Sequence, residues 1–245
     1  MDERPSFSAR SEFLTGARDT IPLLIGALPF GLIYGALAVN AGLSKAAAIL
    51  MSAIVFAGSA QFIAVGLFAL NAPGAIIVLT TLVVNLRHML YSATLLPHLK
   101  EYSLRWKLPL AFWLTDETFA VSVSRWNKQD SSSYKQWYQL GSSIIMYLNW
   151  QFWCFLGLIL GESIPNAGEW GLDVAMPVTF IGMTIPFVRS VPMLACVITA
   201  GGSALVLAEM PYKLGLIIAA GAGILAGLAS ERVQGLVRPL PGGGR

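Results

Sequence analysis

The sequence predicts an all-α protein that crosses a membrane several times, and three observations carry that prediction. Only 12% of the 245 residues are charged while 56% are hydrophobic, against roughly 25% charged in soluble domains. The apolar residues gather into about eight blocks, most of them near spanning length, divided by short polar connectors. Two short motifs recur at a common offset, which predicts two related halves.

A polar N-terminal segment, residues 1–18, carries Arg4, Arg10 and Arg18. The first block, near 21–39, contains Pro22 and Pro29 and ends with a small-x-small step at Ala36-Leu37-Ala38. It is long for a cleaved signal and more blocks follow, so it reads as the start of a transmembrane domain covering 19–231. The remaining blocks lie near 46–70, 74–96, 108–123, 140–160, 172–188, 190–208 and 212–230, ahead of a Gly-rich polar tail at 232–245. The second is interrupted by Gly58-Ser59-Ala60-Gln61, and the fourth has 16 residues, about 24 Å of helix against a hydrocarbon core of roughly 30 Å. Both are expected to be broken or re-entrant. Pro177 and Pro186 in the sixth, like Pro22 and Pro29 in the first, each remove a backbone donor and predict broken helices there.

Phe30-Gly31-Leu32-Ile33-Tyr34-Gly35 matches Leu156-Gly157-Leu158-Ile159-Leu160-Gly161, and Asn40-Ala41-Gly42 matches Asn166-Ala167-Gly168, both at an offset of about 126 residues. The halves would cover about 19–125 and 136–231. Basic residues precede the first block (Arg10, Arg18), precede the fifth (Arg125, Lys128, Lys135) and follow the eighth (Arg232, Arg238), so all three positions are expected on the cytoplasmic side. The connector with Lys100, Arg105 and Lys107 breaks that rule if every block spans, and obeys it if the second or third is re-entrant.

A net charge of +3 is too small to imply nucleic acid, and the basic residues lie between blocks as topology signals. Cys154 and Cys196 sit in different blocks with no partner at metal-ligand spacing and read as packing residues; no cofactor is expected. HExxH, GxSxG and Walker motifs are absent, so hydrolase and ATPase readings have no support.

The candidate functional residues are polar groups inside apolar blocks. Ser59 and Gln61 lie where small residues permit unwinding or close packing. Asn85, Arg87, His88 and Tyr91 follow in the third block, where an ionisable residue is costly unless it faces protein, water or ligand. Arg87 suits either a substrate carboxylate or a fixed acid, and His88 can exchange a proton near neutrality. Thr115-Asp116-Glu117 supplies adjacent carboxylates that repel and call for a cation, for which Arg87 is the nearest candidate; the competing reading is an interfacial segment with its acids in water. Asn149-Trp150-Gln151, with Phe152 and Trp153, reads as an aromatic interface belt, and His98 as an interfacial loop residue.

With these motifs in their order and spacing, the chain resembles the AzlC family, the large subunit of bacterial branched-chain amino acid exporters. The likeness covers about residues 13–230 and rests on Ala57-Gly58-Ser59-Ala60-Gln61-Phe62, Leu86-Arg87-His88-Met89-Leu90-Tyr91 and Leu114-Thr115-Asp116-Glu117-Thr118-Phe119-Ala120, with Met176-Pro177 in the second half. At Asn85 the chain differs from relatives that carry an acid there. The resemblance implies export of valine, leucine, isoleucine or methionine across the inner membrane, together with a small hydrophobic AzlD-type subunit. The residues independently suit a zwitterion: Arg87 for the carboxylate, Asp116 or Glu117 for the ammonium, Phe62 for the aliphatic group. An ion or proton channel is the alternative; an intramembrane enzyme using Glu117 and His88 lacks a nucleophile or metal set.

Overall fold

The computed structural model describes residues 7–161, 185, 188–211 and 214–237. The predicted block at 172–188, with Met176 and Pro177, falls largely outside these residues, as does the second Asn-Ala-Gly motif at Asn166. Regular structure among the described residues is helical, as predicted, and forms two bodies: Met1–Ala69 with Ile77–Trp170, and Leu70–Ile76 with Gly171–Arg245.

The first body is organised on α1 (Ala9–Asn40) and α8 (Lys135–Leu160), both long and apolar enough to cross a membrane. Ser8 caps α1 by exchanging hydrogen bonds of 3.1 Å with Ser11, so the helix starts well inside the polar segment 1–18. That segment is packed: a Cβ on Gly16 would lie 2.0 Å from the Tyr138 carbonyl oxygen, and one on Gly141 2.1 Å from that of Phe13. Further along, a Cβ on Gly35 would meet the Cys154 carbonyl at 2.3 Å and one on Gly157 that of Leu32 at 2.1 Å. Gly31 and Gly161 lie in the same seam, so all four glycines of the recurring motif bring backbones into contact. Partners advance together along both chains, with Gly16 beside Tyr138, Thr20 donating to Ser142 Oγ at 2.7 Å and Gly35 beside Gly157. The helices are therefore parallel. The break expected at Pro22 and Pro29 does not occur: α1 runs unbroken through both, held against α8 along the glycine seam, and Asn149 Nδ2 of α8 donates to the nearby Leu24 carbonyl at 3.3 Å.

With α8 as a ruler, the second and fourth blocks resolve into opposed re-entrant hairpins. In α2 (Lys45–Val55), the Ala48 carbonyl accepts from Tyr34 at 2.8 Å, the Ser52 carbonyl from Gln151 at 3.1 Å and the Ala53 carbonyl from Tyr147 at 3.2 Å, so the helix descends from the C-terminal end of α8 toward its middle. Phe56 then turns with φ 41°, a left-handed conformation that costs a β-carbon-bearing residue roughly 1–2 kcal/mol, and packs edge-on against Tyr147 at 4.8 Å. Next, α3 (Gly58–Ala69) starts against Trp150 and climbs back, with Phe62 6.2 Å from Tyr34. From the other end, α6 (Leu104–Phe112) passes from Trp106 on Trp137 (4.9 Å) to Trp113 on Tyr147 (5.9 Å). Its return, α7 (Asp116–Trp126), brings Trp126 Nε1 back to Gln139 Oε1 at 2.8 Å. The block predicted at 108–123 is thus two short helices joined at Trp113–Thr115; Pro109 and the Thr115 cap set the break.

Between the hairpins runs the apolar segment of α4 (Gly74–Asn85) and α5 (Arg87–Leu99), divided only by a tightened turn at Leu86 whose amide bonds the Val83 carbonyl at 3.2 Å. α5 ends at the N-terminal end of α8: Tyr102 just beyond it donates to Gln136 Oε1 at 3.1 Å. The connector with Lys100, Arg105 and Lys107 therefore shares an end with Arg10, Arg125, Lys128 and Lys135, which resolves the charge conflict through re-entry of the second block.

Two sequence expectations are corrected. His98 is helical and stacks on Trp126 at 5.7 Å, and Trp150 is a buried residue over Gly58 rather than part of an aromatic belt, because the break at Phe56–Ala57 leaves a gap that an indole fills. The cysteines are unbridged. In the second body α9 (Val191–Val206) and α10 (Leu214–Val237) form an antiparallel pair in which Gly215, Gly223 and Gly227 approach Leu207, Cys196 and Pro192 in turn.

Candidate substrate site at the hairpin tips

Arg87 joins the tips of the two hairpins. Its guanidinium donates through one terminal nitrogen to Asp116 Oδ2 at 2.5 Å and through the other to Ser59 Oγ at 2.6 Å. Ser59 belongs to the first turn of α3 and Asp116 to the first turn of α7, so both helix N-termini and their partial positive charge converge on this junction. Asp116 is a favourable first-turn residue, and the reciprocal hydrogen bonds of Thr115 and Thr118 fix that turn. The Tyr91 hydroxyl donates to Asp116 Oδ1, and its ring stacks on Phe119 at 4.5 Å. Both carboxylate oxygens are engaged, while the charged side chains keep 22% (Arg87) and 15% (Asp116) of their exposure. The pair is accessible.

The remaining predicted residues divide into neighbours and outsiders. His88 meets Tyr91 edge-on at 5.9 Å with Nδ1 3.2 Å from the Asn85 carbonyl, and the buried Asn85 Oδ1 lacks a hydrogen bond. Glu117 follows Asp116 on α7 but takes no part in the ion pairs among the described residues. Gln61 is not at the junction. Two residues beyond Ser59, it lies about 200° around α3, fully buried, with neither amide atom hydrogen-bonded. Phe62 is also buried, against Tyr34 of α1.

Sequence reading missed a second charged cluster at the basic end. Arg125 donates through Nε to Glu12 Oε2 at 3.0 Å, through one terminal nitrogen to Glu12 Oε1, and through the other to Asp130 Oδ2 at 2.7 Å. Ser132 Oγ adds a 2.7 Å bond to Glu12. Glu12 and Arg125 are 113 residues apart and no periodicity links them, and Asp2, Glu3 and Glu12 balance Arg4, Arg10 and Arg18 in the N-terminal segment, so charge did not single Glu12 out.

Taken together, these features define a polytopic helical membrane protein in which a charged junction joins the tips of two short-helix hairpins. The AzlC protein family matches residues 22–164, more than half of the chain. A Helicobacter pylori relative named only as an uncharacterized membrane protein is 31% identical over 175 residues, covering 69% of this chain and 75% of its own. The inner membrane protein YgaZ of Escherichia coli is 26% identical over 71% of this chain and 72% of its own. The branched-chain amino acid transport protein AzlC of Bacillus subtilis is 32% identical over 66% of this chain and 62% of its own. The chain belongs to the AzlC family. No solved structure matches it.

Proposed function

We propose that this protein is a secondary transporter subunit that exports valine, leucine and isoleucine, with methionine as a further substrate, across the bacterial inner membrane in exchange for protons. The observation that carries this reading is the Arg87 guanidinium held between Ser59 and Asp116 at the meeting point of two hairpin tips. A substrate carboxylate competes with Asp116 for the guanidinium fork, aided by first-turn amides of α3 that have no partner within the helix. The ammonium is received by Asp116, once released, or by Glu117, with the open Asn85 Oδ1 as a further acceptor. Protonation of Asp116 or Glu117 would neutralise the acid that receives the ammonium, so that proton and amino acid exclude each other. The basic end faces the cytoplasm by the charge rule, and α1 and α8 are equivalent elements of two related halves. A small hydrophobic AzlD-type subunit completes the exporter, as the family resemblance implies.

Counterflow of labelled leucine in proteoliposomes, with and without the small subunit, tests the reading. Saturable counterflow that an imposed proton gradient accelerates supports it. Unsaturable ion flux indifferent to amino acid would identify a channel instead.

A further inference from the structure

Where α5 meets α6, a cavity of about 120 Å³ opens beside the chain. Its floor is Leu95, Leu110 and Leu114, all buried, and its rim includes the exposed Leu96 and Ala111. Lys107 closes the end nearest the connector and donates to the Lys100 carbonyl at 2.7 Å. An ammonium has three donors, and among the described residues no carboxylate pairs with this one: Glu101, the acid of this connector, lies 4.0 Å from Lys100 Nζ, with both side chains exposed. Lys100, Arg105 and Lys107 against Glu101 leave the connector net positive. Tyr102 and the Trp106–Trp137 pair lie at the same level, as side chains at the headgroup boundary do. Beyond that level the groove runs from Lys107 on α6 to Leu114, seven residues on and just past the helix end at Phe112, about 10 Å farther from the connector at the rise of a helix.

We infer that this groove is a binding site for one anionic phospholipid, with the phosphate on Lys107 and Lys100 and an acyl chain against Leu95, Leu110 and Leu114. Charge complementarity selects the occupant. A zwitterionic lipid carries its own ammonium to the mouth and gains no net attraction there, whereas each basic residue near an anionic headgroup contributes about 1 kcal/mol. The apolar floor accepts a chain but not a free phosphate or an amino acid zwitterion, and the site is separate from the Arg87 junction, so it stands independently of the transport reading.

Native mass spectrometry of the full chain, extracted from bilayers of mixed phosphatidylglycerol and phosphatidylcholine, reads retained lipid directly. Lys100→Gln/Lys107→Gln removes the charge; Ala111→Phe, at an exposed rim position, fills the groove and leaves the charge intact; Lys128→Gln changes a basic residue at the same end but away from the groove. Retained phosphatidylglycerol should fall by about thirtyfold in the double variant, the equivalent of roughly 1 kcal/mol for each of the two charges, and comparably in Ala111→Phe, but not in Lys128→Gln. Leu96→Phe, at another exposed rim position, repeats the filling test should Ala111→Phe disturb α6. If filling the groove leaves phosphatidylglycerol bound while removing charge releases it, the attraction is diffuse and the inference fails. Equal retention of phosphatidylcholine also overturns it.

Discussion

Arg87 is the residue on which the junction depends, because it is bonded to α3 and α7 from a third element, α5. Arg87→Ala should abolish leucine counterflow. Breaking a buried pair costs up to about 3–5 kcal/mol, but the residual exposure of both side chains lowers that here, so the variant should still yield monodisperse protein by size exclusion. Arg87→Lys keeps the charge and loses the fork, and should retain binding with weakened affinity. Glu117→Gln has a different expected phenotype: transport continues, but its rate responds less to pH, because among the described residues Glu117 is the carboxylate at the junction outside the ion pairs. A steep pH profile in active Glu117→Gln protein would assign coupling elsewhere. Much of this was legible in the sequence, since an arginine in an apolar block needs an acid and Thr-Asp-Glu was the nearest supply. The choice of Asp116 over Glu117, and the exclusion of Gln61, depend on where α3 and α7 begin, and a one-residue shift in a helix start rotates every side chain by about 100°.

At the scale of elements, glycine decides how closely helices approach. Gly157→Val should prevent α1 and α8 from packing, because its Cβ would lie 2.1 Å from the Leu32 carbonyl oxygen, a backbone atom that cannot rotate away. Overpacking of this kind costs about 1–3 kcal/mol or more, and thermal unfolding in detergent should show it. Gly26→Ala is the matched control, with nothing within 4 Å of its Cβ; it should be neutral or stabilising by roughly 0.5–1 kcal/mol, the helix preference of alanine over glycine. The breaks in the second and fourth blocks were visible as Gly58-Ser59-Ala60-Gln61 and as insufficient length. Their re-entrant sense was not, because a half-length helix has the same composition whether the chain continues across or returns. It depends on tertiary bonds such as Tyr147 and Gln151 to the last carbonyls of α2, which no local pattern encodes.

For the molecule as a whole, the charges gathered at the basic end are also a source of stability. At the basic end Arg125 ties Glu12 of α1 and Asp130 of the α7–α8 connector to α7. Partial desolvation works against ionised Asp130, yet the Arg125 and Ser132 hydrogen bonds and the charges of Arg125 and Lys135 outweigh it and hold its carboxyl below the usual value of 3.8. A carboxyl depressed in the folded protein adds stability above its unfolded value and loses it as pH falls through the folded one. The melting temperature should therefore decline in acid below about pH 4, and Asp130→Asn should flatten that decline while lowering stability near neutrality. If the wild-type and Asp130→Asn melting curves run parallel with pH, the cluster contributes nothing through this group.

The parallel seam of α1 and α8 also has a consequence for biogenesis. α1 leaves the ribosome before α8, and the helix that covers its glycines starts at Lys135, so the intervening chain must be made before the seam can close. At synthesis rates of about 5–20 residues per second, α1 waits on the order of 5–20 s with Gly16, Gly31 and Gly35 facing lipid or the insertion machinery. A nascent chain stalled before α8 would expose that face to quality-control proteases, which makes completion of α8 the commitment point of folding.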